Sequence, residues 1–286
     1  MPLGMISMTL LDLPPQFGTY DHDSLVKERV QTIAKWIRTK TGQIDQVPFD
    51  PYLCAVRLGL TVCDTNLPKE ISGRLLLSPP TPRIEVRRGE NGRRQRFTLC
   101  HELAHLCFLR YKPIRHFERG DPECVPVVQK REERICDSIA VELLMPKALF
   151  VQYAEHLKPS LDSLFHLAKK FDVSVESILF RISNLAVWFV GITEWKIGES
   201  QQLNQSRRRI SSRAMKDRQE RRQMLLKVNR MLEEIESRLQ IDLRMREAVL
   251  RESLGRYIVR ESGGGNIYFI RLSSRNRLRA FVTQSI

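Results

Sequence analysis

Two histidines and one glutamate lie within five consecutive residues of a segment that predicts a helix. His101, Glu102 and His105 form an HExxH pattern. On a helix, the i, i+4 spacing puts both imidazoles on one face, with β-carbons about 6 Å apart, which suits two ligands of one zinc ion. Glu102 can then take a proton from a water that the zinc has acidified, which makes that water a nucleophile against a peptide carbonyl.

The HExxH pattern also occurs by chance on exposed, charged helical faces. Here, however, apolar residues cover most sides of the predicted helix: Phe97, Leu99, Leu103, Leu106 and Phe108. Two buried imidazoles and a buried carboxylate need partners, and a metal ion supplies them. The sequence therefore favours a zinc site with one ion per chain.

A catalytic zinc site takes a third protein ligand and leaves the fourth position for water. The acidic residues for this role lie in a second predicted helix, from about Lys130 to Met145. Glu132 lies amid the apolar arc of that helix, whereas Glu133 lies at the edge of the arc. Helical phase alone leaves both alternatives open.

The two helices together resemble a known family. Arg96 to His105 (RFTLCHELAH) and then Glu133 to Pro146 (ERICDSIAVELLMP), with Gly73 near a predicted sheet, look like the ImmA/IrrE metallopeptidases. The similarity covers about Leu25 to Asn184, and it implies that Glu133 is the third zinc ligand. It also implies the substrate class, a helix-turn-helix transcriptional repressor, usually encoded nearby, whose cleavage switches on a stress, mobile-element or anti-phage defence operon.

The sequence departs from the family pattern at two positions near the motifs. Asp137 stands where the family usually has Asn, and Ala104 where it often has Gly. Because Asp137 follows Glu133 by one helical turn, it either orients a metal ligand or is a buried polar residue satisfied by the backbone.

The six cysteines form no CxxC pair, which is typical of reduced thiols in a cytoplasmic chain. Cys100 and Cys107 fall on the side of the first helix away from the histidines, and we expect them in the core. Cys124 lies in the proline-rich loop between the two helices. Its thiolate either occupies the fourth zinc position and keeps a protease latent, or is an ordinary loop thiol.

The remaining patterns predict an α+β protein in three parts. Residues 1–21 are an N-terminal extension, and 22–186 form a zincin-like helical metallopeptidase domain with a small β-sheet. Residues 187–286 form a basic α+β C-terminal domain for sensing or interaction. It contains a long helix from Met224 to about Leu254 and short strands at Tyr257 to Val259, Ile267 to Leu272 and Leu278 to Val282.

The sequence predicts a cytoplasmic protein without a membrane partner. The N-terminal stretch has no cationic start, and Pro14 and Pro15 break its short apolar run, unlike a signal peptide. The longest later apolar run, Leu185 to Ile192, is far shorter than the roughly 20 residues of a membrane span.

Positive charge is concentrated towards the C-terminus. The last hundred residues hold 21 Lys and Arg against 11 Asp and Glu, so ten of the fourteen net positive charges lie there. This surplus suggests an acidic partner, with nucleic acid, and single-stranded DNA in particular, as the first candidate and docking of the repressor as another. The cationic residues predicted to contact nucleic acid are Arg207, Arg208, Arg209, Arg213, Arg221 and Arg222. The alternatives are a solvated charged face, or a helix whose apolar stripe forms a homodimer or packs within the chain.

The segment from His166 to Arg181 has the alanine, turn and apolar spacing of a helix-turn-helix. Arg181 is the one cation of its second helix, so packing within the peptidase fold is the favoured interpretation. Reading DNA remains the alternative, and it belongs to a rival function: a DNA-binding transcriptional regulator with a structural or vestigial zinc site.

Overall fold

The computed structural model describes residues 14–15, 23–77, 82–111, 126–188, 190–197, 203–211, 218–241, 265–272 and 277–284. The chain divides into two compact units. The first comprises Met1–Phe150 with Lys170–Val173, and the second Val151–Lys169 with Ser174–Ile286. The predicted domains 1–21, 22–186 and 187–286 rest on sequence pattern, and their boundaries stay a prediction.

Four helices build most of the first unit: α1 (Asp23–Lys40), α2 (Pro51–Arg57), α3 (Gly92–His105) and α4 (Pro126–Leu144). α1 packs against α4, and α3 lies against both α2 and α4. Their apolar residues recur at helical spacing and form a core with no solvent exposure at Ile33, Ile37, Leu99, Leu103, Ile139 and Leu143. A short 3-10 helix, Leu106–Tyr111, continues α3.

Side-chain caps explain where α2 and α3 begin. Asp50 accepts hydrogen bonds from the backbone N–H groups of Tyr52 and Leu53, and Pro51 occupies the first turn of α2. Asn91 accepts from the backbone N–H of Arg93 at the start of α3. Each cap satisfies backbone donors that a helix leaves free at its first turn.

A three-stranded sheet accompanies these helices, with β1 at Thr61–Thr65, β2 at Gly73–Leu76 and β3 at Arg83–Arg87. The strand order is β1-β3-β2, so β3 is central and β2 is an outer strand. β1 runs parallel to β3, and β2 runs antiparallel to it. The predicted small sheet is therefore present, and β2 contacts α3.

Arg38, at the end of α1, is a fully buried cation that joins distant parts of the first unit. Its guanidinium donates hydrogen bonds to the carbonyl oxygens of Leu143 (2.7 Å), Ile44 (3.2 Å) and Gln46 (2.6 Å). Leu143 O lies at the C-terminal end of α4, where carbonyl groups lack helical partners. A buried charge is stable only when it is bonded in this way, so Arg38 fixes the end of α4.

Three more helices follow: α5 (Lys147–Ala154), α6 (Leu161–Phe171) and α7 (Val175–Leu185). The last two coincide with the segment that looks like a helix-turn-helix. Arg181, its one cation on the second helix, is buried with 7% exposure. Because a major-groove contact needs an accessible side chain, this burial favours the packing interpretation.

The second unit contains a four-stranded antiparallel sheet of β4 (Val190–Ile197), β5 (Leu203–Ser211), β6 (Gly265–Leu272) and β7 (Arg277–Gln284), in the order β5-β4-β7-β6. A single long helix, α8 (Arg218–Ile241), packs against β4, β5 and β7. A β-carbon at Gly191 would lie 2.7 Å from Val228 Cγ1, so the glycine lets α8 approach β4 closely.

The sequence patterns predict the mixed α+β class correctly, but they assign no strand to Gln201 to Arg222. In the structure, β5 pairs with β4, and Arg207 lies opposite Glu194. α8 begins before the predicted start at Met224, and Tyr257 to Val259 lies outside the described residues. Among the described helices, none has the length and apolar character that crossing a membrane requires.

Candidate metal centre

His101 and His105 lie one turn apart on α3 and face the same space. Their ring centroids are 5.0 Å apart, with the ring planes inclined at 72°. Cys100 and Cys107 have no solvent exposure, as expected of core thiols, and Glu102 is also buried. The buried surroundings predicted for the HExxH segment are thus confirmed.

Glu133, on α4, spans the two imidazoles. Its Oε2 lies 3.3 Å from His101 Nε2, and its Oε1 lies 3.8 Å from His105 Nε2. Ligands about 2.0–2.1 Å from a tetrahedral zinc are separated from one another by roughly 3.4 Å. The first distance matches this separation and the second is slightly longer, which places Glu133 beside an ion held by both histidine nitrogens. The Glu133 side chain is 28% exposed, which leaves the cluster open to solvent on that side.

The other ring nitrogens of the histidines face three further residues of α4. Asp137 Oδ1 lies 2.9 Å from His101 Nδ1. Glu132 Oε1 lies 3.3 Å from His105 Nδ1, and Cys136 Sγ lies 3.5 Å from the same atom. The two neighbouring glutamates are thus separated by geometry, because Glu133 faces both Nε2 atoms and Glu132 faces an Nδ1 atom.

These acidic neighbours change the charge of the site. Burial disfavours the protonated form of His101, but hydrogen bonds to Asp137 and Glu133 outweigh it and raise the pKa of His101 to about 9. Burial, together with the nearby Glu132 carboxylate, raises the pKa of the Cys136 thiol well above its usual range. The acidic residues of α4 therefore favour a positive charge on His101.

Glu102 points to the side of α3 that β2 covers. A β-carbon at Gly73, the first residue of β2, would lie 2.5 Å from Thr98 Cγ2 and 3.2 Å from Glu102 Oε1. No side chain fits into that space without movement of its neighbours. Gly73 therefore lets the backbone of an outer strand lie directly against the predicted catalytic carboxylate.

The structure brings together five residues that the sequence singles out: His101, Glu102, His105, Glu133 and Asp137. It adds Cys136, whose sulfur lies within 4.8 Å of one nitrogen of each histidine. No role was predicted for Cys136, although its place one turn from Glu132 on the same helix was a usable signal.

The other predicted site residues belong to other segments of the chain. Cys124 and Arg213 fall outside the described residues. Arg207, Arg208 and Arg209 belong to β5, and Arg221 and Arg222 belong to α8. Arg222 is exposed. The gating role of Cys124 and the nucleic-acid role of the arginines stay predictions.

Comparison with known proteins bears on the unit that holds this cluster. Residues 55–183 match the model of the peptidase M78 family, described as the IrrE N-terminal-like domain. The chain carries an ImmA/IrrE-family peptidase domain. The matched residues include all of β1 to β3, α3 and α4, and hence every candidate metal ligand. The resemblance read from the two motifs is thus confirmed for this domain.

One curated relative is the radiation response metalloprotease IrrE of Deinococcus radiodurans, 30% identical over 94 residues. The alignment covers 32% of this chain and 27% of that relative, so the similarity spans about a quarter of the relative's length. A solved structure of a Mycobacterium tuberculosis transcriptional regulator matches with a TM-score of 0.51 and 15% identity. It covers 93% of this chain and 89% of its own, and this similarity concerns the fold.

Proposed function

We propose that this protein is a zinc-dependent endopeptidase. The observation that carries the proposal is the position of Glu133, whose carboxylate oxygens face the Nε2 atoms of both His101 and His105. Two imidazoles and one carboxylate, with an opening to solvent, are the ligand set of several zinc peptidases. His101, His105 and Glu133 would hold one zinc ion per chain.

Zinc held by His101, His105 and Glu133 would supply Lewis-acid chemistry, lowering the pKa of a water molecule and polarising a peptide carbonyl. Glu102 is the base that accepts the proton of the attacking water and then donates it to the leaving amine. Its burial between α3 and β2 keeps the carboxylate at one place. Asp137 supports His101 through the Nδ1 contact.

The proposed substrate is a helix-turn-helix transcriptional repressor encoded near this protein, whose cleavage would derepress a stress or anti-phage defence operon. The peptidase domain match and a relative described as a radiation response metalloprotease support a protein substrate and a stress response. The repressor itself is what the family resemblance implies. The outer strand β2 offers backbone groups beside Glu102, and an extended substrate segment can pair with such an edge.

The second unit is proposed to sense single-stranded DNA and stimulate cleavage. Three consecutive arginines lie on β5, and Arg222 is exposed on α8. Phosphate neutralisation by such residues gives binding that weakens steeply with salt and is blind to sequence. A homodimer through this unit is a further proposal.

The experiment combines metal content with cleavage of the neighbouring repressor, for wild type and Glu102→Gln, with and without single-stranded DNA. We expect both proteins to bind one zinc, wild type alone to cleave, and DNA to accelerate cleavage. Cleavage by Glu102→Gln contradicts the mechanism, and a chain that binds no zinc contradicts the proposed function.

The rival function is a DNA-binding regulator with a structural or vestigial zinc site. The regulator of similar fold and the basic second unit favour it. It predicts sequence-selective binding to duplex DNA that Glu102→Gln leaves unchanged, with no cleavage of any repressor. Sequence-blind, salt-sensitive binding to single strands supports the sensor instead.

A further inference from the structure

The Nδ1 atom of His105 lies in a buried environment on α4's side of the cluster. The side chains of His105 and Glu132 are only 7% and 6% exposed, and their nearest polar atoms are 3.3 Å apart. Cys136 Sγ lies 3.5 Å from the same nitrogen, and this side chain has no solvent exposure. Two different groups thus approach one ring atom.

Metal binding through Nε2 determines whether the Nδ1 atom of His105 carries a proton. When a neutral imidazole binds zinc through Nε2, its proton is on Nδ1, and that N–H needs an acceptor. An ionised carboxylate is a much stronger acceptor than a thiol sulfur. Of the two neighbours, Glu132 is therefore the better partner for His105.

We propose that Glu132 is a positioning residue for the metal. Its carboxylate accepts a hydrogen bond from His105 Nδ1–H, which fixes the tautomer that presents Nε2 and orients the ring towards Glu133. Two adjacent glutamates of α4 thus have different tasks, since Glu133 binds at the Nε2 side and Glu132 acts through His105. The inference rests on the proposed zinc site, and it is independent of the substrate and of cleavage.

Burial makes this assignment energetically consistent. Moving a carboxylate out of water is costly unless hydrogen bonds and a nearby positive charge compensate for it. Glu132 is 5% exposed and faces an imidazole whose N–H becomes more polarised when the ring binds a cation. Zinc binding and the buried charge of Glu132 therefore stabilise each other.

The test measures zinc affinity of the full chain by competition with a chromophoric chelator. The variants are Glu132→Met, which keeps the length but replaces the carboxylate with a weak thioether acceptor, Glu132→Gln, which keeps one oxygen, and Cys136→Ser. Ser138→Ala is the matched control, because Ser138 is exposed on α4 and bonds its own helix. We expect Glu132→Met to weaken zinc binding by about 10–100-fold, Glu132→Gln to weaken it less, and the other two to match wild type.

A second measurement reports on the ring itself. Nitrogen-15 chemical shifts of His105 in the zinc-loaded wild type should show the proton on Nδ1 and the metal on Nε2. This readout needs no variant, so it tests the proposal even where Glu132→Met fails to fold, which circular dichroism and thermal unfolding reveal.

Equal zinc affinity in Glu132→Met and wild type overturns the proposal, and so does zinc bound to Nδ1 of His105. A loss in Cys136→Ser alone also overturns it and gives the role to the thiol. If the wild-type chain binds no zinc, that result contradicts both the proposed function and this inference. Zinc binding that depends on Glu132 in a chain that cleaves no repressor supports the inference and contradicts only the protease.

Discussion

The two candidate zinc histidines have similar bonding patterns but different surroundings. Each directs Nε2 towards Glu133 and Nδ1 towards an acidic residue of α4. The acid beside His101, Asp137, is 57% exposed, whereas the acid beside His105, Glu132, is 6% exposed. An exposed carboxylate exchanges its bond for water at little cost, and a buried one does not. The shorter contact, at 2.9 Å, is therefore expected to be the weaker support.

The largest expected effect comes from Glu133, which both histidines share. Glu133→Ala removes a proposed ligand, so its zinc affinity should fall by more than the roughly 100-fold upper range for loss of an outer hydrogen bond. Chelator competition measures this loss, with Ser138→Ala as the control on the same helix. A zinc affinity close to that of wild type means that another group is the third ligand, and Cys136 is the first candidate.

The comparison between His101 and His105 is tested most directly by replacing the acidic neighbour of each with alanine. Glu132→Ala should weaken zinc binding by about 10–100-fold, because it removes the carboxylate beside the buried Nδ1 of His105. Asp137→Ala should weaken it only a few-fold, since water can replace the exposed carboxylate. The same titration serves for both. Equal losses, or a larger loss in Asp137→Ala, contradict the idea that burial separates the two histidines.

The smallest effect on zinc is expected at Gly73, whose nearest neighbours are Thr98 and Glu102. Gly73→Ala should leave zinc affinity near wild type but lower kcat of repressor cleavage, because the new methyl displaces Glu102 from β2. Thr98→Ser removes the methyl group that lies only 2.5 Å from the added carbon. The double variant should recover part of the activity. Full activity in Gly73→Ala alone shows that the position of Glu102 does not depend on this strand.

Much of the metal cluster could be predicted from sequence because its spacing is local. His101, Glu102 and His105 follow from one helical repeat, and Glu133 follows from resemblance. The role of Glu132 could not be predicted, because it depends on how α4 is rotated against α3. A rotation of one residue, about 100°, exchanges the faces of two adjacent glutamates, and tertiary packing sets that angle.

The fold shows the same division between local and tertiary information. The helix predicted from about Lys130 to Met145, which has apolar residues at regular spacing, lies close to α4 (Pro126–Leu144). β5 was missed because its arginine-rich sequence has little strand character, and its pairing with β4 comes from a neighbour in space.

Arg38 has a consequence for any attempt to prepare the peptidase part alone. The family match begins at residue 55, and a fragment starting there retains every candidate zinc ligand. It also loses α1 and the guanidinium that holds Leu143 O at the end of α4. The shortest fragment worth expressing is therefore set by a hydrogen bond between two residues that are 105 positions apart in the sequence. That fragment begins no later than Asp23, where α1 starts.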